Sequence, residues 1–231
     1  MYLDPLQCLQ ALELSDIRVA RSDYVDSAEG AIAFATRRTA RDERLVPILL
    51  RIVSAGPLRY DPAHFSPALA GVDPIRRAYD ALAQRLDHNA GEHVLAQEAS
   101  EHGTDVAVDG HSDERSRRIV RLRSGEHGAE RTLPLDEQAA AQLVRDFQPY
   151  HHRLGEAHTR HMLEHVVLRI ARFFVEFDLD GFAIDPLRLH ENGYTVLAAT
   201  ATASHALHLK ERLDRHAHDR KEYGFRPSGP Q

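Results

Sequence analysis

Two stretches combine residue types that could do chemistry. In "GFAIDPLRLHENG" (residues 181–193) the apolar run from Phe182 to Ile184 ends on Asp185 and Pro186. A carboxylate taken out of water needs a counter-charge or a cation. Asp185 is therefore either a turn residue at a rim or one ligand of a cation site. In "HTRHMLEH" (158–165) His161, Glu164 and His165 match H-x-x-E-H. On a helix that spacing sets two histidines one turn apart on zinc, with the glutamate as base. A plainer arrangement competes with this zinc hydrolase. Leu163, Val166, Val167, Ile170 and Phe174 form the apolar, core-facing stripe of the same segment. His158, His161 and His165 continue instead into Arg169 and Arg172, a poor wall for a dication and a natural one for water. With 16 histidines in the chain, metal-like spacings also arise by chance. The solvated face is preferred, and zinc hydrolysis is kept as an alternative.

No G-x-S-x-G, Walker-type loop or G-x-G-x-x-G fingerprint occurs. "SGEHGAE" (124–130) resembles a phosphate loop only in its glycines, and its acids would repel a phosphate, so a hairpin turn is expected.

The elements that must position these residues read as a mixed α/β chain. Helices are expected near residues 5–14, after Asp26 or Ser27, from Asp73-Pro74, from Pro134 to Phe147, and over 156–177. Strands are expected at 17–20, 45–53, 93–99, 104–110 and 117–123, the last three joined as hairpins. A final hairpin, 181–187 and 194–200, turns at Asn192-Gly193. The proline- and glycine-rich stretch 54–71 reads as a loop or flap. The tail from 207 reads as a polar helix that frays.

At 231 residues with 42% hydrophobic and 28% charged composition the chain can bury a sizeable core. The net charge of −6 argues against a nucleic-acid partner. No run approaches the roughly 20 apolar residues of a membrane span, and the N-terminus lacks a secretory pattern. The single cysteine, Cys8, excludes an internal disulfide and a cysteine zinc site. A cytoplasmic protein is expected.

From residue 174 onward the chain resembles a known family. "FVEFDLDGFAIDPLRLHENGYTVLAATATAS" (174–204) is similar to the closing segment of the ATP-grasp domain in NDP-forming acyl-CoA synthetases and the succinyl-CoA synthetase β subunit, with its E-I-N-P-L and L-D-A patterns. "ALELSDIRVARSDYVDSAEGAIAFA" (11–35) resembles that family's entry segment, and "VPILLRIVSAG" (46–56) its P-V-V-L-K-I strand. "AHFSPALAGV" (63–72) is similar to T-H-K-S-D-V-G-G-V, and "HVLAQEASEHGTDVAVDG" (93–110) to a V-L-V-Q-x-M, G-x-E-x-x-V-G pair. "RTLPLDEQAAAQLV" (131–144) resembles the following L-P-L segment and helix. The motifs fall in family order over nearly the whole chain.

The resemblance implies an α+β ATP-grasp-like fold: a small lid at 15–92 over a larger part built from 1–14 and 93–206, then the polar tail 207–231. It implies ATP and magnesium as cofactors and a CoA-binding or ligase partner chain. Carried over position by position, it puts Arg51, Gln97 and Glu98 against the nucleotide, His64 and Asp105 in catalytic positions, and Asp185 at the metal. The sequence also departs from the family. Its glutamate falls on Ala183, its asparagine on Asp185 and its aspartate on Ala198. The ATP-contacting lysine falls on Arg51, and the lysine beside the phosphate-relaying histidine on Phe65. Two lost acids and a shortened glycine loop should harm metal placement most, because phosphoryl transfer rests on positioning and charge. Impaired ligase chemistry is the expectation. A non-catalytic sensor or scaffold with a filled cleft is the alternative.

Overall fold

The computed structural model describes residues 1–38, 43–57, 66–100, 102–124, 127–147 and 157–204. The expected polar tail from 207 lies outside them. Helix α1 (Pro5–Leu14) opens where the Asp4 carboxylate accepts the Leu6 and Gln7 N–H groups at 3.0 and 3.2 Å. Pro5 fits that first turn, where its missing N–H costs nothing.

Two hydrophobic clusters divide the elements. The smaller runs from Ala28 to Ala96. It lies between a three-stranded antiparallel sheet and two helices. The sheet has β1 (Ser22–Val25), β5 (His93–Glu98) and β4 (Ile48–Val53) in that order. The helices are α2 (Ala28–Ala35), capped by the Ser27 hydroxyl on Gly30 N–H, and α3 (Val72–Ala83). Ile75, Tyr79 and Leu82 of α3 are buried at helical spacing. A short ribbon of β2 (Thr36–Arg38) and β3 (Glu43–Leu45) follows α2.

The larger cluster joins α1 to α4 (Glu137–Phe147), α5 (Ala157–Glu176) and one face of a six-stranded antiparallel sheet. That sheet runs β10 (Gly193–Val196), β9 (Gly181–His190), β6 (Thr104–Ser112), β7 (Arg118–Ser124), β8 (His127–Thr132), with β11 (Ala199–Thr202) also on β9. Phe147, Phe173 and Phe174 are fully buried here, each worth about 1.5–3 kcal/mol of burial. Gly110 lies opposite Phe182, and a Cβ there would sit 2.1 Å from the ring. Glycine thus seats Phe182 edge-on to Phe174, with ring centroids 5.1 Å apart.

Three expectations change. The strand expected at 17–20 is a single parallel bridge, Val19 to Val196, and β1 forms later, at Ser22–Val25. Ile17 is instead an anchor in the larger cluster. Strand β5 does not hairpin with β6; it pairs with β1 and β4, which carries Val94 and Ala96 into the smaller cluster. The final hairpin is longer than expected. β9 runs through Pro186 to His190 and is covered first by β10, then by β11.

Candidate functional site

Where β9 crosses from one partner to the other, its facing pattern changes phase. Phe182 and Ile184 are buried, Asp185 is exposed, and Leu187 and Leu189 are buried again. The register against β6 slips at the same place, between Val106 and Val108. An extra residue in one strand does this, and such bulges re-aim a side chain. The bulge turns Asp185 onto the open face of the sheet while returning the following leucines to the core.

Pro186 has a second consequence. Leu197 N–H reaches the Pro186 carbonyl at 3.1 Å. A regular hydrogen-bonded pair would return a bond to the Leu197 carbonyl, and proline has no N–H to give it. The smaller sheet supplies the missing donors. Arg51 Nη2 of β4 donates to Leu197 O at 3.0 Å, and Gln97 Nε2 of β5 donates to it at 2.7 Å and to Ser22 Oγ at 2.9 Å. Arg51 and Gln97 are both buried, 6% and 1% exposed. Burial pulls the Arg51 guanidinium down to about 10, partly offset by the Tyr24 phenol, so it stays charged at neutral pH. Tyr24 OH donates to Asp4 at 2.7 Å, which ties β1 to the start of α1. Burial, then the Asp4 carboxylate, raises the Tyr24 phenol far above its ordinary range. The seam between the two sheets is buried, and among the described residues Arg51 Nε within it has no hydrogen-bond partner.

Beside it lies an open cleft of ≈310 Å³, lined by Tyr2, Pro57, Arg123, Ala183, Asp185 and Thr200 among others. Asp109 is cross-strand partner to Ala183 and Arg121, and Ala183 to Thr200, so these share the open face. Arg121 and Arg123 both reach Asp109 through Nε, Arg121 at 3.0 Å. Arg123 Nη2 lies 4.0 Å from Asp185 Oδ2. Loss of surrounding water raises the Asp185 pKa; Arg123 opposes this, while Asp105 and Asp109 add to it.

The expected site residues fall as follows. Arg51 and Gln97 are brought together at the seam. Asp185 lines the cleft, and Arg51 does not. Glu98 is half-buried at the end of β5, its N–H bonded to Arg21 O. Asp105 accepts a two-pronged bond from Arg188 at 2.7 and 2.8 Å. Ala183 lines the cleft and Ala198 is buried. His64 and Phe65 lie outside the described residues. On α5, His161 is exposed, stacked on His165 at 5.8 Å and 3.5 Å from Glu164. Among the described residues no group of three or more His, Cys, Asp or Glu is placed to hold a metal ion.

Arg123, Thr200 and the Leu197 carbonyl were missed. The first two carry a readable signal: in "RIVRLR" and "ATAT" alternate residues share a face, which pairs Arg121 with Arg123 and Thr200 with Thr202.

No family model and no curated protein matches this chain. Solved structures do. The chain is similar to the dinucleotide-forming acetyl-coenzyme A synthetase 1 of Ca. Korarchaeum cryptofilum, in complex with coenzyme A, Ca-AMPCP and HgCl⁺. The TM-score is 0.74 at 19% identity, over 87% of this chain and 93% of that one. PH1788 from Pyrococcus horikoshii Ot3 gives 0.73 at 12% identity, over 87% and 91%. ATP citrate lyase from Methanothrix soehngenii, in complex with citrate and coenzyme A, gives 0.62 at 13% identity, over 92% of this chain and 53% of that one. Identities this low speak for fold alone. The fold is the expected α+β one of ATP-grasp domains.

Proposed function

We propose that this chain is an ATP-grasp domain of the acyl-CoA synthetase type that does not by itself carry out magnesium-dependent phosphoryl transfer. One observation carries the reading: Arg51, matched to the nucleotide-contacting lysine, is buried with its guanidinium on the Leu197 carbonyl. A phosphate that takes Nη2 must break that bond and leave the Leu197 carbonyl to Gln97, although Arg51 Nε is buried without a hydrogen-bond partner among the described residues. The apolar Ala183 and Ala198 support the same conclusion. Asp185 alone offers a carboxylate at those positions, and Arg123 competes with a cation for it. A filled-cleft scaffold is less favoured, because an opening of ≈310 Å³ still falls within the ordinary ligand-pocket range of about 300–1,000 Å³. Acyl-CoA chemistry in this reading needs a partner chain carrying the CoA-binding part.

Thermal-shift titration with ATP, with and without magnesium, tests this. A ligand at 100 times its dissociation constant stabilises by about 2.7 kcal/mol. A small shift that magnesium does not enlarge is expected. Tight, magnesium-dependent binding that disappears in Arg51→Met would show that Arg51 leaves Leu197 for the nucleotide, and would overturn the proposal.

A further inference from the structure

We propose that the cleft over β9 and β11 binds a small zwitterion, an α-amino acid or close analogue, with its ammonium on Asp185 and Thr200 and its carboxylate on Arg123. The inference stands apart from the nucleotide reading, since a cleft closed to magnesium–ATP still has room for an amino acid.

The cleft sets acceptors and a guanidinium donor side by side. On the β9–β11 side the hydroxyl protons are already used. Thr200 Oγ1 donates to Gly56 O at 2.8 Å, and Thr202 Oγ1 to Gly181 O at 3.3 Å. A hydroxyl that has given its proton presents only lone pairs. Asp185 adds a carboxylate, whose one ion pair among the described residues is the 4.0 Å approach of Arg123. That separation is too long for a hydrogen bond. Asp185 and the two threonine oxygens therefore accept, which suits an ammonium with three N–H groups; Tyr2, bridged to Thr202, brings a phenol to the same rim.

Next to Asp185 lies the Arg123 guanidinium, extended from β7, with its Nη2 4.0 Å from Asp185 Oδ2. Asp109 holds its Nε and so fixes the direction of the planar head. A guanidinium fixed at one edge still has Nη donors for a carboxylate. A ligand with only a carboxylate would face Asp185, and one with only an amine would face Arg123. A zwitterion answers both. Ala183 and Pro57 give part of the remaining lining an apolar character suited to a side chain, while the Phe182 and Ala201 side chains belong to the core. Thr200 also ties Gly56 to the rim.

Equilibrium dialysis against an equimolar mixture of the standard amino acids, with amino-acid analysis of both compartments, tests the site without presuming which one fits. We expect one or a few to be enriched on the protein side. Asp185→Asn and Arg123→Gln should each lower that enrichment about tenfold, the effect of one charged hydrogen bond. Both side chains are partly exposed, so both variants should keep the wild-type circular dichroism. Acetate and methylamine, added separately in equal amount, should leave the retained amino acid in place. Absence of enrichment with wild type, enrichment unchanged in both variants, or displacement by acetate alone would each overturn the proposal. None of these results bears on the ATP titration, so the two readings fail separately.

Discussion

The seam and the cleft lie on opposite sides of the Asp185–Ala198 stretch of ladder, and both are built around an arginine, yet they treat the charge in opposite ways. At the seam, Arg51 is buried, with its Nη2 bound to Leu197 O and, among the described residues, no ion pair to a carboxylate. In the cleft, Arg123 is held by one aspartate and loosely faces a second at 4.0 Å. A guanidinium on a backbone carbonyl is a structural element, since with Gln97 it replaces the donor that proline lacks. A guanidinium with free edges facing a cavity is a binding element. The difference assigns recognition to the position that sequence comparison passes over, and structure to the one it singles out.

Breaking the seam should have the largest effect. Leu197 O has two donors, so losing one is tolerable and losing both is not. Arg51→Met also relieves the desolvation of a buried charge and should cost about 1 kcal/mol. Gln97→Leu should cost about 1–2 kcal/mol, because the Ser22 contact goes too. The double variant leaves a buried carbonyl unmet and should cost more than the sum, about 3–5 kcal/mol in all. Denaturant midpoints for the four proteins give the coupling directly. Simple additivity would mean that the two side chains do not share Leu197.

How far the sequence could be read follows the same division. Helices α4 and α5 were legible because their buried faces recur at helical spacing: Ala140, Leu143, Val144, Phe147, then Leu163, Val166, Val167, Ile170, Phe174. The Asn192-Gly193 turn was legible from its residues, and Gly193 takes the expected positive φ, +136°. What failed was strand partnership. "HVLAQEA" and "TDVAVDG" alternate alike, and nothing local says that one belongs to the smaller sheet and the other to the larger. Strand β1, "SDYV", is polar and short, so the apolar "IRVA" before it drew the expectation. The seam could not be read because its acceptor is a backbone carbonyl. A proline announces that a donor is missing, but not which side chains, 146 and 100 residues from Leu197 in the chain, will replace it.

The cleft should respond less. Asp109 is 9% exposed and takes both Arg121 and Arg123. Asp109→Asn removes the charge that holds the two guanidinium groups together, with an expected loss of about 2 kcal/mol in chemical denaturation. A loss as large as that of the seam double variant would make the cleft a structural element too, and erase the distinction.

The smallest effect, and the most specific, belongs to Asp185. Its folded-state pKa is raised, mainly because it has lost water, with Asp105 and Asp109 adding and Arg123 opposing. Between the ordinary aspartate value of about 3.9 and the raised one, the folded protein keeps a proton that the unfolded chain releases. Stability must then fall as pH rises through that window. Above the window the wild type carries a constant penalty, and below about 3.9 it carries none. Asp185→Asn has no such titration. At neutral pH, without ligand, the variant should therefore be slightly more stable than wild type, by less than about 0.5 kcal/mol because the side chain is half exposed. The advantage should vanish as pH falls below the window, read as converging denaturant midpoints. A residue that weakens the empty protein yet is needed to retain a ligand is a binding residue. The opposite sign, a variant less stable at neutral pH, would instead make the Arg123–Asp185 approach a stabilising ion pair and remove the reason to look for a zwitterion that pairs with both.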